Sequence, residues 1–439
     1  MRSIESSKRN ETDFSPPRGT RDFGPSEKMQ RDWIVQTLKT VFETYGFAPL
    51  ETPALEKWET LSSKYAGGKE ILKEMYSLTD QGGRKLGLRY DLTVPLCRFI
   101  AQNPKLAKPF KRYQIAPVWR DGPIKLGRYR EFWQADVDTV GIESLAADAE
   151  VLSLALAVFK ELGLDAFIKV NNRKLLDGLL DFAGVAPENR GAIILSLDKL
   201  DKIGKEGVLA ELEQKGLAKE SVEKLVGLLE CKTIAAFEQM SLNEGGREGV
   251  KELKELFRYL DCFEAEKTRT RFAPSLARGL SYYTGTVFEV FLQNSAIKSA
   301  VAAGGRYDEL IGNFTGRERI PATGISFGID VLMDAMKIRL KSDKKQFRML
   351  LYVIPIKTLG DSIKIVQAFR NAGIPAGIDL LGRGLSKNLE YASKSGVRFA
   401  AIAGEKELEQ GRIRVRDMES GEEKELSVQE AINFLKNKV

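Results

Sequence analysis

VWRDGPIKLGRYREFWQADVDTVG, residues 118–141, has the form strand, loop, strand. The loop DGPIKLG carries the Gly and Pro that turns use. In the second strand, alternation places Phe132, Gln134, Asp136 and Asp138 on one face, and Arg128 and Arg130 share that parity. A face with two guanidiniums, an aromatic ring, an amide and two carboxylates is too polar for a core. It reads as an exposed face only until the flanking strand FKRYQIAPVWR (110–120) is considered, which is apolar enough to be buried. Buried polar groups must be paired. A site for a charged ligand explains them better. Arginines such as Arg120, Arg128 and Arg130 fit phosphate by bidentate hydrogen bonds, and a ring such as Phe132 can stack on a base.

Three further segments flank this one. In RYDLT (89–93), Asp91 and Thr93 lie two apart, so on a strand they share a face. A carboxylate and a hydroxyl there suit an ammonium group, although the segment by itself reads more simply as a surface salt bridge. ARGLSYYTGTVFEV (277–290) holds Arg278, Tyr282 and Tyr283, and AAGGRYDEL (302–310) holds Gly304, Gly305 and Tyr307. Singly, Tyr-Tyr on a strand is usual core packing and Gly-Gly a usual turn.

The remainder supplies organisation. Residues 1–14 read as a solvated tail. A helix is predicted from Lys28, with Trp33, Leu38, Val41 and Phe42 at near-helical spacing and Gly46 just past its end. Another runs through 144–163, with Ser144 as its cap. From 172 to 260, stretches rich in Leu, Lys and Glu suggest an inserted helical subdomain. After a charged boundary at 337–346 the pattern is β-α-β-α-β, which argues a small separate α/β domain.

Composition narrows the chemistry. A chain of 439 residues suggests several domains, and a net charge of +7 allows an anionic partner without demanding one. There is no histidine, so Ser-His, Cys-His and His-metal mechanisms are excluded. Cys97, Cys231 and Cys262 are odd in number and far apart, which favours a reducing compartment. No signal peptide and no long apolar run is present, so a cytoplasmic location is expected and no membrane partner.

Together these segments resemble the histidyl-tRNA synthetases, a family of class II aminoacyl-tRNA synthetases. PRGTRDFGP (17–25) looks like the opening signature. ETPALE, with Pro53, looks like motif 1, the dimerisation element. VWRDGPIKLGRYREFWQADVDTVG looks like motif 2, the Tyr-Tyr and Gly-Gly segments look like the two histidine-specific stretches, and ATGISFGIDVL sits where motif 3 belongs. LRYDLT and QADVD are similar to the archaeal and eukaryotic branch.

The resemblance implies an α+β fold. An antiparallel-sheet catalytic core (15–171 and 261–336) would carry a helical insertion (172–260) and a C-terminal α/β anticodon-binding domain (347–439). It implies L-histidine, ATP with Mg²⁺, tRNA(His) and a homodimer. Carried over, Asp91, Thr93 and Gln134 would hold the substrate's α-amino group. Asp138 would face the imidazole, helped by Tyr282, Tyr283 and Tyr307. Arg120 would bind the α-phosphate and substrate carboxylate. Phe132 would stack on adenine, Arg128 would reach the outer phosphates, and Arg278 would be a catalytic cation beside the α-phosphate.

Three positions depart from the pattern. Val331 stands where motif 3 normally presents an arginine, Ser281 replaces a usual acidic residue, and Ala135 a common cysteine. Val331 keeps open a second reading, a regulatory paralogue that binds histidine and controls the ATP phosphoribosyltransferase of histidine biosynthesis. The C-terminal domain and the arginine set favour a ligase.

Overall fold

The computed structural model describes residues 13–63, 69–124, 127–197, 200–215, 219–231, 233–277, 282–316, 319–339 and 349–437. The chain divides into two compact units, one of Met1–Asp22 with Arg31–Arg339 and one of Phe23–Gln30 with Leu340–Val439.

The helix Pro25–Thr44 enters the first unit at Arg31 and buries Arg31, Ile34, Leu38, Val41 and Phe42. Trp33, predicted to face inward, is instead 44% exposed. Its neighbour Ile34 sets the buried stripe, and one residue is about 100° of helical turn. Gly46, at φ +76, ends the helix, with its amide donating to the Glu43 carbonyl.

The strands follow as β1 (Ala48–Pro49), β2 (Leu55–Lys57), β3 (Ser77–Thr79), β4 (Lys85–Leu88), β5 (Phe110–Trp119), β6 (Glu131–Val140), β7 (Ala166–Asn172), β8 (Thr270–Phe272), β9 (Thr286–Leu292), β10 (Ala302–Arg306) and β11 (Ala322–Gly328). Eight of them form one sheet in the order β1-β5-β6-β11-β10-β9-β7-β8. Its pairs are antiparallel except β1–β5 and β7–β8 at the two edges. A small antiparallel sheet, β2-β4-β3, accompanies it.

The sheet's two faces have different chemistry. On one, the rings of Phe42 and Phe159 lie 5.8 and 6.0 Å from Phe327 of β11, and Tyr113 of β5 packs on Phe42. The helices Pro25–Thr44 and Ala146–Glu161, which carry Phe42 and Phe159, therefore bring apolar side chains to this face. The pleat then sends the alternate residues to the other face. Register aligns Arg112 with Asp138 and Gln114 with Asp136 across β5–β6, and Asp136 with Ser326 across β6–β11.

Between β7 and β8 the described chain is helical. Helix Glu244–Cys262 packs on helix Arg173–Phe182 and on Ala146–Glu161. The approach is close: a Cβ on Gly249 would lie 2.4 Å from the Leu175 amide nitrogen, so only glycine fits that crossing.

The second unit holds β12 (Leu351–Ile356), β13 (Ala376–Ile378), β14 (Phe399–Gly404), β15 (Ile413–Asp417) and β16 (Glu423–Leu426), in the order β13-β12-β14-β15-β16. The first three are parallel and the last two antiparallel. Phe369, Phe399, Ile413 and Leu435 anchor its core. Among the described residues no helix is long and apolar enough to cross a membrane.

Candidate active site

The polar face of the central strands forms the site. Arg112, Gln114, Asp136 and Asp138 are all nearly inaccessible to solvent. Asp138 is held on three sides. Arg112 Nη2 lies 2.6 Å from its Oδ2, and the Tyr307 hydroxyl donates to its Oδ1 at 2.5 Å. On the third side is Gly324 of β11, where a Cβ would sit 2.0 Å from Asp138 Oδ1. Burial raises the Asp138 carboxyl above the ordinary carboxylate value, against the pull of Arg112 and Tyr307. Its neighbour Asp136 is pushed up to about 7, chiefly by burial and further by Asp138, with Arg112 and the Ser326 hydroxyl opposing. Among the described residues Asp136 Oδ1 has no hydrogen-bond partner.

The Gln134 amide donates to Ser326 Oγ at 2.7 Å, and among the described residues its buried Oε1 has no hydrogen-bond partner. That is an acceptor waiting for a donor. Further along β6, Phe132 packs with Leu92, Ala116 and Val118. The Arg120 guanidinium lies 5.2 Å from the Phe132 ring centre, fixed by its Nε donating to the Tyr90 carbonyl at 2.9 Å.

Several expectations are corrected. Asp91 and Thr93 do not share a strand face, because Thr93 opens the helix Thr93–Gln102. Asp91 lies in the turn before it and accepts from the Val94 amide at 3.0 Å. The helix start uses the carboxylate as an anchor, which an alternation argument cannot foresee. Burial raises the Asp91 carboxyl, opposed by that amide and by Arg120. Arg128 and Arg130 also leave the polar face, since β6 begins at Glu131. Arg128 is exposed and pairs with Glu74 at 3.1 Å, and Arg130 pairs with Asp121 at 2.9 Å. Ser144 is not the cap of the next helix: Leu145 holds that position, and Ser144 Oγ accepts from the Ala146 amide.

Tyr282 lies edge-on to Tyr307 at 6.1 Å and against Tyr283 at 4.7 Å. Tyr283 is buried with Leu96, Cys97 and Tyr307 and covers Gly305, where a Cβ would approach its ring to 2.9 Å. Arg278 and Ser281 lie outside the described residues. Val331 sits against the motif 2 loop, its Cγ2 3.5 Å from where a Cβ on Gly127 would be.

Sequence reasoning missed Arg112, Gln114, Ser326 and Gly324. A signal for two of them existed. Arg112 and Gln114 interrupt the apolar strand 110–119 with period two, and pairing that strand with β6 places them opposite Asp138 and Asp136. It also missed Arg306, buried in β10, which donates to Asp148 at 3.1 Å and Asp308 at 3.2 Å and so braces the strand end that carries Tyr307.

A model described as histidyl-tRNA synthetase matches residues 19–332, and one described as an anticodon-binding domain matches residues 351–438. The chain belongs to the histidyl-tRNA synthetase family. It is 42% identical to histidine–tRNA ligase 2 of Shouchella clausii over 94% of this chain and 97% of that protein. With histidine–tRNA ligase 1 of Bacillus cereus the identity is 42%, over 95% of this chain and 98% of the other. Among solved structures, the histidyl-tRNA synthetase of a Nostoc species superposes with a TM-score of 0.83 at 30% identity, covering 97% of this chain and all of that one. These relatives are bacterial and do not support the archaeal and eukaryotic branch suggested by LRYDLT and QADVD. The antiparallel-rich catalytic sheet and the C-terminal mixed α/β unit are the family's fold.

Proposed function

We propose that this protein is a histidine–tRNA ligase that activates L-histidine with ATP and transfers it to tRNA(His). The observation that carries this reading is the buried Asp138, gripped by Arg112 and Tyr307 on a face that also presents Arg120 over Phe132. In the first step a histidine carboxylate oxygen attacks the α-phosphorus of ATP. A new P–O bond forms, pyrophosphate leaves, and histidyl-adenylate remains. In the second, a terminal ribose hydroxyl of the tRNA attacks the adenylate's carbonyl carbon and AMP departs. No side-chain nucleophile is needed, which agrees with a chain that lacks histidine.

Each group has work suited to its setting. Asp138 accepts a ring N–H from the imidazole. Gln134 Oε1, buried and without a partner among the described residues, and the Asp91 carboxylate, with Thr93, receive the α-ammonium group. Tyr282, Tyr283 and Tyr307 enclose the ring. Arg120 meets charge building on the α-phosphate, together with Arg278. Phe132 stacks on adenine, and Arg128 reaches the outer phosphates once it leaves Glu74.

Mg²⁺ belongs to the same proposal. Among the described residues no group of three or more Cys, Asp or Glu side chains could hold a metal ion. We therefore assign Mg²⁺ to the nucleotide's phosphates rather than to a resident site; it would neutralise their charge. A homodimer through the motif 1 segment and a cytoplasmic location complete the reading.

The test is histidine-dependent ATP–pyrophosphate exchange by the purified protein. Exchange is expected with histidine and with no other amino acid. Absent exchange at saturating ATP, with histidine still bound, would favour the regulatory paralogue. Val331 gives a second test. A stacked cation is worth about 0.5–2 kcal/mol, so Val331→Arg should lower the KM for ATP by roughly 2- to 30-fold. An unchanged or higher KM would mean that another group already serves there.

A further inference from the structure

Arg112 is completely buried, and its guanidinium spans two parts of the site. Besides meeting Asp138, Nη2 donates at 3.1 Å to the carbonyl of Leu92, the residue between Asp91 and Thr93. One cation thus touches the carboxylate proposed to face the ring and the turn proposed to hold the ammonium group. Its Nε and Nη1 are buried and have no hydrogen-bond partner among the described residues.

A purely structural ion pair is the simpler explanation, and two observations weigh against it. A buried pair adds little net stability over apolar residues of similar volume, so stability alone is a weak reason to keep one. This pair is also built to a narrow tolerance. Gly324 closes one side of Asp138, Tyr307 a second and Arg112 a third, so the carboxylate has no room to turn.

We propose that Arg112 is a positioning residue that sets the spacing between the amino-group and ring subsites and keeps Asp138 ionised, thereby determining selection of histidine without touching the reacting atoms. This rests on the functional reading above. Among the described residues the titratable and charged groups facing Asp138 are Arg112 from β5, Asp136 from β6, Tyr307 after β10 and Cys97 from the helix Thr93–Gln102. Of these only Arg112 is a cation. Its removal favours the protonated form of Asp138, so the acid limb of histidine binding moves to higher pH.

The experiment is calorimetric titration of the full chain with histidine, and separately with ATP, as a function of pH. Arg112→Met should bind histidine about 100-fold more weakly, with an acid limb shifted upward and ATP binding unchanged. Arg112→Lys restores the charge but ends one bond short of Nη2, the atom that meets both Asp138 and the Leu92 carbonyl. It should keep the wild-type acid limb yet still bind histidine about 10-fold more weakly. Wild-type histidine affinity in either variant overturns the proposal. So does equal loss of histidine and ATP binding, or one pH profile shared by Lys and Met. If Arg112→Met does not fold, the affinity and acid limb of Arg112→Lys decide alone. Histidine binding by the wild type without exchange would end the ligase reading and still leave Arg112 judged by binding.

Discussion

Replacing Asp138 by alanine is expected to abolish histidine binding while ATP binding persists. The carboxylate is buried on the polar face, with the Arg112 guanidinium 2.6 Å from Oδ2 and the Tyr307 hydroxyl donating to Oδ1. Its remaining acceptor capacity suits the ring N–H of an imidazole. Losing a partner in such a buried set costs about 2–5 kcal/mol, or roughly 30- to 5,000-fold in affinity. Alanine also leaves Arg112 buried without its counter-charge, which costs about 3–5 kcal/mol of stability. Asp138→Asn preserves the volume and separates the two effects. It should fold better than the alanine variant and still bind histidine poorly, because an uncharged amide accepts more weakly and turns an NH₂ toward the site. Histidine titrations of both variants, with melting temperatures alongside, check this. Normal affinity in both would mean that the ring lies elsewhere.

The second large effect is on rate. Arg120→Ala should lower kcat for pyrophosphate exchange by about 10²–10³, the usual loss when one preorganised donor to a developing oxyanion is removed. Histidine affinity should change far less. Arg120 is well placed for this, since its Nε is tied to the Tyr90 carbonyl and its guanidinium is stacked over Phe132. A donor already held still reorganises little as the reaction proceeds. Burial lowers the Arg120 pKa, but Asp91 beside it works in the opposite direction and the side chain stays cationic. A kcat within a factor of a few of wild type would move the role to another cation. Arg120→Lys distinguishes charge from geometry, because lysine keeps the charge and cannot both stack on the ring and reach the carbonyl.

Much of the catalytic sheet was legible before any coordinates. The period-two alternation in 131–140 named Phe132, Gln134, Asp136 and Asp138 as one face, and β6 places them there. The alternating β and α pattern after residue 346 marked a mixed α/β unit, as observed. Alternation failed where local hydrogen bonding replaced it. Asp91 and Thr93 belong to a helix start, and Arg128 and Arg130 precede the strand whose parity they seemed to share.

The order of motifs, the absence of histidine as a catalytic side chain and the polar strand face all follow from the linear chain, because each depends on neighbours a few residues apart. What buried that face and paired its charges depends on residues far apart in the chain. Arg112 and Asp138 are 26 positions apart and become partners only through the β5–β6 register, while Tyr307, just past β10, and Gly324 of β11 arrive from more than 160 residues later. A carboxylate's affinity for a ring N–H is set by desolvation and by the charges around it, and both are properties of packing. The chain therefore specified which groups were available, and tertiary structure decided which of them work as one site.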